Sequence, residues 1–599
     1  MNDKNKDSLW AMRHTAEHVL HQAVKELYPQ IQLAMGPATD EGFYFDFDSS
    51  PKKDHIVRIS ETDFLKIEQR MKELINLDLP LTRMKISEKE AQKLFKDNPY
   101  KLEWVDGIVK KKGEITIYWT GHPGDKNSMV DLCKGPHVES TGKVGPFKLL
   151  SIAGAYWHGD EKNKMLTRIY GTCFPTQKEL DKYLWQKEEA EKRDHRKLGK
   201  QLGYYLISDQ VGQGLIIWKP QGAIIRRIIE DFIIKEQTKR GYKMVYSPHI
   251  GKKQLWITSG HWDLYRDKMY SPMKIDEVEY MVRPMNCPMH MMVYQSDPHS
   301  YRDLPLRISE NASVYRYEQA GELSGMIRGR HFTQDDSHIF CTEKQVTDEF
   351  MNVMDYAFYF LKAFGISDYY MQLSVRDPKN KDKYLGSDAV WKNAEDKIKK
   401  AVSLKKVKFT VKEGEAAFYG PKLDFIIKDS LGREWQCGTI QIDFSLPERF
   451  KLEYIDEKGE IKRPVVIHRA IAGSLERFFA ILVEHYAGAF PLWLSPIQLA
   501  ILPVSDKFQD YALKIKNVLL KNNIRAELNL DNKTLGSKIR ESTLQKVPYM
   551  VIIGERELES YKVNKVYKVS VRTREGKDLG LVNLYQFIEK LRKQIENFA

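Results

Sequence analysis

The amino-acid sequence predicts a multidomain protein of mixed α+β and α/β class, on three observations. The chain has 599 residues, far above the size at which one hydrophobic core keeps growing, so about four units of roughly 150 residues each are expected. Its middle reads as many strands with few intervening helices, which predicts a mostly antiparallel sheet. Its C-terminal end alternates strand and helix, the pattern of a separate α/β domain.

Residues 1–175 combine a helical pattern from Met12 to Leu27 with strand-like pieces, Gly42 to Asp48 and Ile115 to Trp119, and read as one α+β segment. The stretch from Thr176 to Leu202 has no Pro, is dense in Glu and Lys, and opens on a Thr cap. It predicts an exposed linking helix over 176–202 with no chemistry of its own. Within 203–495, strands are expected at Tyr242–Tyr246, Tyr280–Arg283, Ala312–Arg316, His338–Cys341, Lys422–Ile427 and Trp435–Asp443, with helices at Gly222–Thr238 and Glu343–Ala363. Within 496–599, strands at Ile497–Pro503, Ile524–Asn529 and Tyr549–Ile553 alternate with helices at Lys507–Asn522, Leu535–Gln545 and Leu584–Phe598. There is no internal repeat, heptad run or low-complexity tract.

Composition narrows the function classes. Hydrophobic residues make up 42% and charged residues 30%, ordinary for a soluble protein, and no apolar run reaches the roughly 18 residues a membrane span needs. The opening MNDKNKDSLWAMRHTAEH is polar, without a signal-like apolar stretch, so a cytosolic protein is expected. Cys133, Cys173, Cys287, Cys341 and Cys437 are too few and too scattered for a disulfide framework, which leaves buried or metal-binding thiols. The net charge of +13 is concentrated at one end: from Ile501 to Ala599 there are 19 Lys/Arg against 12 Asp/Glu. That basic end suits a polyanionic partner.

No Walker loop and no GxGxxG after a strand is present, so bound nucleotide must be held by arginines. LPLRISENASVYRYEQAGELSGMIRGRHFTQDDSHIFC supplies Arg307, Arg316, Arg328 and Arg330, and HRAIAGSLERF supplies Arg477. Planar guanidinium groups clamp phosphate oxygens bidentately, and Glu318, two residues after Arg316, falls on the same face of a strand. The run YRYE, RHFTQDD, GSLERF resembles motifs 2 and 3 of class II aminoacyl-tRNA synthetases. RPMNCPMH, HFTQDDSHIF, FYGPKLDF, QCGTIQIDFSLPERF and VIHRAIAGS resemble threonyl-tRNA synthetases in particular, and the similarity runs from His14 to the C-terminus.

This resemblance implies an editing domain over 1–175, a class II catalytic domain over 203–495 and an anticodon-binding domain over 496–599. It assigns Arg316 to the α-phosphate of ATP, Glu318 to the adenine amino group, Phe332 to stacking on adenine, and Arg328 and Arg477 to the γ-phosphate. It further implies zinc on Cys287, His338 and His468, Asp336 on the substrate ammonium, and Gln334, Tyr419, Lys422 and Gln436 lining the site. One thiolate and two imidazoles suit zinc and leave a fourth position open, although separations of 51 and 130 residues match no local finger spacing. Mg²⁺ accompanies ATP, His261 in SGHWDLY matches a histidine proposed as base for the transfer to tRNA, and the helix Gly222–Thr238 with the strand ending at Pro248 looks like motif 1, which implies a homodimer. Arg572 and Arg574 in VRTREGKD are implied anticodon readers, with phosphate contact as the alternative.

The reason for two sites is discrimination. An apolar pocket separates valine from its near-isostere threonine by only about 10²-fold, whereas a site that demands a hydroxyl rejects valine more strongly. Serine keeps the hydroxyl and lacks one methyl, worth about 10- to 200-fold. A second sieve is therefore expected. His14 and His18, spaced i,i+4, share one helix face, and Cys133 and His137 form a second pair. With Lys101 and Asp131 they resemble the editing domain of threonyl- and alanyl-type synthetases, and hydrolysis of seryl-tRNA is the implied reaction; the ligand types also permit zinc there.

The chain departs from the family's pattern in four places. It begins almost at the editing histidines, where family members commonly carry a ubiquitin-like domain first. Met289 and His331 stand where Gly is usual and Tyr317 where Asn is usual, and each is expected to crowd a loop near the active site. The rival readings are a class II synthetase for serine, proline or alanine, and a synthetase-like RNA-binding protein without charging activity.

Overall fold

The computed structural model describes residues 3–50 and 57–599. The chain divides into two compact units, Met1–Glu188 and Glu189–Ala599.

The first unit is built on the helix Asp3–Leu27, whose Ala16, Val19, Leu20, Ala23 and Val24 are buried against Phe43, Phe45 and Phe47. Those phenylalanines alternate along Phe43–Asp48, which pairs with Met165–Cys173 in an antiparallel sheet of four strands, flanked by Gln32–Met35 and Phe147–Tyr156. A second sheet joins Leu81–Lys85, Thr116–Thr120 and Met129–Leu132. The helix Pro99–Lys110 starts on an Asn98 cap that accepts from the Lys101 N–H and on Pro at its first position.

The linking segment is not one helix. Gln177–Arg193 and His195–Gln201 are separate, broken at Asp194, whose carboxylate caps the second helix by accepting from the Arg196 N–H. The second helix is not a solvated surface. His195 is buried, with Nδ1 donating to Glu484 (2.7 Å) and Nε2 accepting from the Met326 N–H (3.2 Å). Both ring nitrogens are thus used, and the Asp194–His195–Glu484 group holds the chain together rather than a ligand.

The second unit carries an eight-stranded sheet, antiparallel except at its two ends, where Lys243–Met244 runs parallel to Leu306–Tyr315 and Phe409–Glu413 parallel to Tyr369–Val375. Between them lie His331–Cys341, Val465–Ser474, Glu434–Asp443 and Lys422–Lys428. The central strand Val465–Ser474 was not anticipated as a strand. It is buried along eight consecutive residues, so it lacks the alternation that marks a half-exposed strand. The helices Pro220–Lys239, Val346–Ala363 and Leu475–His485 join Ile339, Cys341, Leu423, Phe425, Ile440, Ile442 and Ile467 in one core on one sheet face. Residues of opposite parity point the other way, and on that face the candidate site lies.

In the C-terminal part, Ala526–Leu528, Leu499–Pro503 and Tyr549–Ile553 pair in parallel, as an α/β reading requires. An antiparallel hairpin, Lys568–Thr573 and Asp578–Asn583, extends the sheet beyond what was expected. No helix among the described residues is long and apolar enough to cross a membrane.

Candidate active site

A cavity of about 580 Å³ opens on the polar face of the eight-stranded sheet. Strand register explains its contents. His338 pairs with His468 across the sheet, Asp336 with Ala470, and Gln441 with both His468 and Lys422. Gln334, Asp336 and His338 share one face by alternation, as do Lys422 and Asp424. Arg316, Glu318, Arg328, Phe332, Gln334, Asp336, Tyr419, Lys422, Gln436, His468, Arg477 and Cys287 all line the cavity. Arg316 and Glu318 lie just past the strand Leu306–Tyr315, in an irregular segment rather than on it.

Cys287, His338 and His468 offer ligand atoms within 4.8 Å of one another, and all three are buried. Their fit to a metal rests on ring nitrogens without partners: His338 Nε2 and His468 Nδ1 are buried and bonded to nothing. The other nitrogens are occupied. His468 Nε2 donates to Asp443 (2.9 Å), and His338 Nδ1 faces His290 Nδ1 (2.8 Å), whose Nε2 is 3.4 Å from Glu310. Asp443 accepts from His468 Nε2, so the inward Nδ1 of His468 keeps its lone pair, while the His338 tautomer follows that of His290, whose Nε2 also meets the Asn286 amide (2.9 Å). Burial pushes the free Cys287 thiol well up and the His338 imidazole well down, so a cation is what would hold the thiolate form.

The nucleotide end is rich in cations. Arg316 lies 5.0 Å from the Phe332 ring and 5.6 Å from Tyr265, and donates to the Pro284 carbonyl. Arg477 is largely buried, its Nε has no partner, and burial lowers its pKa, an arrangement completed by an anion. Glu318 accepts from Lys268 (3.0 Å), which also holds Glu322.

Three expectations change. His261 does not line the cavity: it is fully buried behind Phe418 and Tyr419 (ring centroids 5.2 and 6.4 Å), its Nδ1 bonded to Ser259. Burial, with His468, Arg316 and Arg449 adding to it, lowers its pKa to about 3. Met289, Tyr317 and His331, expected to crowd a loop near the site, do not line the cavity. Met289 is buried with Trp256, Met269 and Met281, Tyr317 faces Arg330, and His331 packs on Tyr315. Arg574 donates to the Phe490 carbonyl (2.8 Å) and to Glu575, so its guanidinium is engaged within the protein; Arg572 sits on the strand Lys568–Thr573 opposite Asp578.

The sequence reading also missed residues. Gln441, whose amide oxygen accepts from the Tyr419 hydroxyl (2.6 Å), and Thr439 line the cavity. Thr439, Gln441 and Asp443 are spaced by two in QCGTIQIDF, a period that puts all three on one face and was there to be read.

In the first unit a cavity of about 690 Å³ is lined by His14, Glu17, His18, Lys101, Asp131 and Cys133. The Cys133 Sγ lies 3.4 Å from His14 Nε2 and 3.2 Å from His137 Nε2, and His137 itself stands behind the wall, its Nδ1 against Thr15 (3.1 Å). Lys101 and Asp131, both buried, pair at 2.6 Å. Burial raises Cys133 to about 12 and lowers His137 to about 2, so the thiol is protonated and the imidazole neutral. Glu17 was not anticipated; it is fully buried between His14 and His18, and burial, then Asp131, raises its pKa well above the carboxylate range.

Comparison with known proteins agrees with this geometry. Residues 270–486 match the family model of the class II tRNA synthetase core domain (G, H, P, S and T), 498–594 an anticodon binding domain, and 117–170 the threonyl and alanyl tRNA synthetase second additional domain. The chain is 47% identical to a threonine–tRNA ligase of Cytophaga hutchinsonii over 99% of its length and 89% of that protein. It is 48% identical to that of Caldanaerobacter subterraneus, over 100% and 89%. Among solved structures, one described as the RNA binding domain of threonyl-tRNA synthetase from Cryptosporidium parvum aligns with 67% of this chain and 98% of that one, at TM-score 0.63 and 37% identity. The protein is therefore a member of the threonine–tRNA ligase family of class II aminoacyl-tRNA synthetases, with an editing-type domain ahead of its catalytic core.

Proposed function

We propose that the protein activates L-threonine with ATP to threonyl-adenylate, transfers the threonyl group to tRNA(Thr), and hydrolyses mischarged seryl-tRNA(Thr) at its second cavity. The observation that carries this reading is the buried cluster of Cys287, His338 and His468, two of them with unpartnered ring nitrogens, whose Cys287 and His468 line the same cavity as Arg316, Asp336 and Arg477. Zinc on Cys287, His338 and His468 would supply a Lewis-acidic position for an amine and a hydroxyl. Asp336 takes the ammonium, and Gln334, Tyr419, Lys422 and Gln436 surround the rest of the amino acid. The threonine carboxylate attacks the α-phosphate of Mg-ATP, breaking the α–β phosphoanhydride bond and releasing pyrophosphate, while Arg316 stabilises the charge that develops, Arg328 and Arg477 hold the γ-phosphate, and Glu318 and Phe332 hold adenine. For Glu318 to read adenine, Lys268 must release or share it. His261 serves the transfer step as base only if the Phe418–Tyr419 segment shifts to expose it.

In the first unit, neutral His14 and His18 and the Cys133 thiol, oriented by His137 behind it, hold a water by hydrogen bonds, and Lys101 supplies positive charge where the ester oxygen becomes negative. Arg572 is the anticodon-side arginine left for RNA. A homodimer is part of the same reading; Tyr246, 86% exposed within the motif 1 segment, is the kind of surface such an interface would cover.

Pyrophosphate exchange with threonine, serine, proline and valine tests the activity. Threonine should drive exchange and valine should not; exchange with proline alone, or with none, overturns the proposal. Replacing Cys287 with Ser should remove the metal and abolish threonine activation, and a fully active, metal-bearing variant refutes the ligand assignment. The double change His14→Ala, His18→Ala should leave threonylation intact and let seryl-tRNA accumulate, an outcome checked by deacylation of pre-charged seryl-tRNA.

A further inference from the structure

Asp424 lies on Lys422–Lys428 and is fully buried. Its carboxylate accepts four hydrogen bonds: Oδ1 from Gln436 Nε2 (2.8 Å) and Thr439 Oγ1 (2.7 Å), Oδ2 from Lys422 Nζ (2.7 Å) and Ser374 Oγ (2.9 Å). Lys422, Gln436 and Thr439 line the cavity, whereas Asp424 and Ser374 stand behind that wall. All the acceptor capacity of one carboxylate is therefore spent on three groups that face the site and one that anchors it from behind.

The backbone is shaped for this. Gln436 and Thr439 are three residues apart and would point to opposite faces of a regular strand. The pairing with Lys422–Lys428 shifts register there, Asp424 opposite Thr439 and Ile426 opposite Gln436, so that Cys437 and Gly438 together face Phe425. This bulge turns both side chains toward Asp424. A Cβ at Gly438 would sit 2.7 Å from the Ile471 carbonyl oxygen, which is why glycine occupies the bulge.

We infer that Asp424 is a positioning residue that sets the polarity of the amino-acid site, an inference resting on the proposed function above. An ionised carboxylate only accepts, so it fixes which end of the Gln436 amide turns inward: the NH₂ is spent on Asp424 and the carbonyl oxygen is left for the cavity. It holds the Lys422 ammonium on its other oxygen, also at the cavity wall. The cavity thereby presents one cation and one acceptor fixed by the same carboxylate, matching the negative and donor groups of an α-amino acid. An amide at position 424 cannot do this: with its NH₂ toward Lys422 it opposes the ammonium, and with its NH₂ toward Gln436 it favours the turned-over amide, whose oxygen then points away from the cavity.

The test compares wild type, Asp424→Asn, Lys422→Met/Gln436→Ala and the triple variant in threonine-dependent pyrophosphate exchange, with crystal structures of wild type and Asp424→Asn. Asp424→Asn should lower kcat at least tenfold and leave KM for ATP within about twofold, since the nucleotide arginines do not touch it. Added to Lys422→Met/Gln436→Ala, it should cost less than about twofold further, because of the groups facing the cavity only the Thr439 hydroxyl is left to position. The variant structure should show the Gln436 amide and the Lys422 ammonium moved and the rest of the cavity unchanged. A full additional loss in the triple variant, a parallel rise in KM for ATP, or a structure with both groups in place overturns the inference. Wild-type protein that fails to exchange with threonine refutes the proposed function instead, and the pair of structures then decides the positioning role without it.

Discussion

Replacing Asp443 with Asn should weaken metal binding while leaving the ligand residues untouched. Asp443 is fully buried; its Oδ2 accepts from His468 Nε2 (2.9 Å), and its Oδ1 accepts from the N–H groups of Ser445 (2.7 Å) and Leu446 (3.0 Å). The carboxylate thus selects the His468 tautomer protonated on Nε2, which leaves Nδ1 with the lone pair a metal needs. An amide cannot satisfy both sides. With its oxygen toward His468, its NH₂ meets two backbone donors. Turned over, the NH₂ faces Nε2 and drives the proton onto Nδ1, the ligand atom. Loss of such an outer partner typically costs 10- to 100-fold in metal affinity, or about 1.4–2.7 kcal/mol. Competition with a chromophoric zinc chelator measures this directly, and threonine-dependent exchange at limiting zinc should fall in proportion and return on adding metal. Wild-type zinc affinity in the Asp443→Asn protein would refute the argument that this carboxylate sets the ligand tautomer.

Two further outcomes are expected. Gly438→Ala should destabilise the second unit by about 1–3 kcal/mol through the clash with the Ile471 carbonyl and raise KM for threonine as the bulge opens; unchanged melting and KM would show that the bulge is not tightly packed. Glu310 gives a pH-dependent term. Burial pushes its carboxyl up, but hydrogen bonds from His290 and Ser247 and the neighbouring Arg283 outweigh this and bring it from 4.5 to about 2. A depressed pKa contributes stability that is present above the unfolded value and lost as pH falls through the folded one. The contribution, about 3 kcal/mol, should therefore disappear between pH 4.5 and about 2, and acid titration of Glu310→Gln should lack that limb.

What the amino-acid sequence determined by itself is what local spacing encodes. The period of the helix through His14 and His18, the alternation in Glu434–Asp443 and the strand–helix repeats after residue 496 placed elements within a few residues, because each depends on burying one face. Arg316 and Arg328 were legible for a similar reason, since they lie within one short stretch, whereas Arg477 joins them only in the folded sheet. The rest depended on partners far away in the chain. Val465–Ser474 has no readable period because both its faces are covered. The break at Asp194 depends on Glu484 and Met326, which receive His195. Cys287, His338 and His468 form one site only because cross-strand register sets His338 beside His468 and a helix start delivers Cys287. His261 was nominated by the resemblance of SGHWDLY and stands behind Phe418 and Tyr419 by packing, while Asp424, unremarkable in FYGPKLDF, gained Gln436 and Thr439 from a bulge on one neighbouring strand and Ser374 from the other. Local sequence specifies which face of an element is buried; only the folded sheet, by pairing strands at a particular register, decides which side chains meet on it.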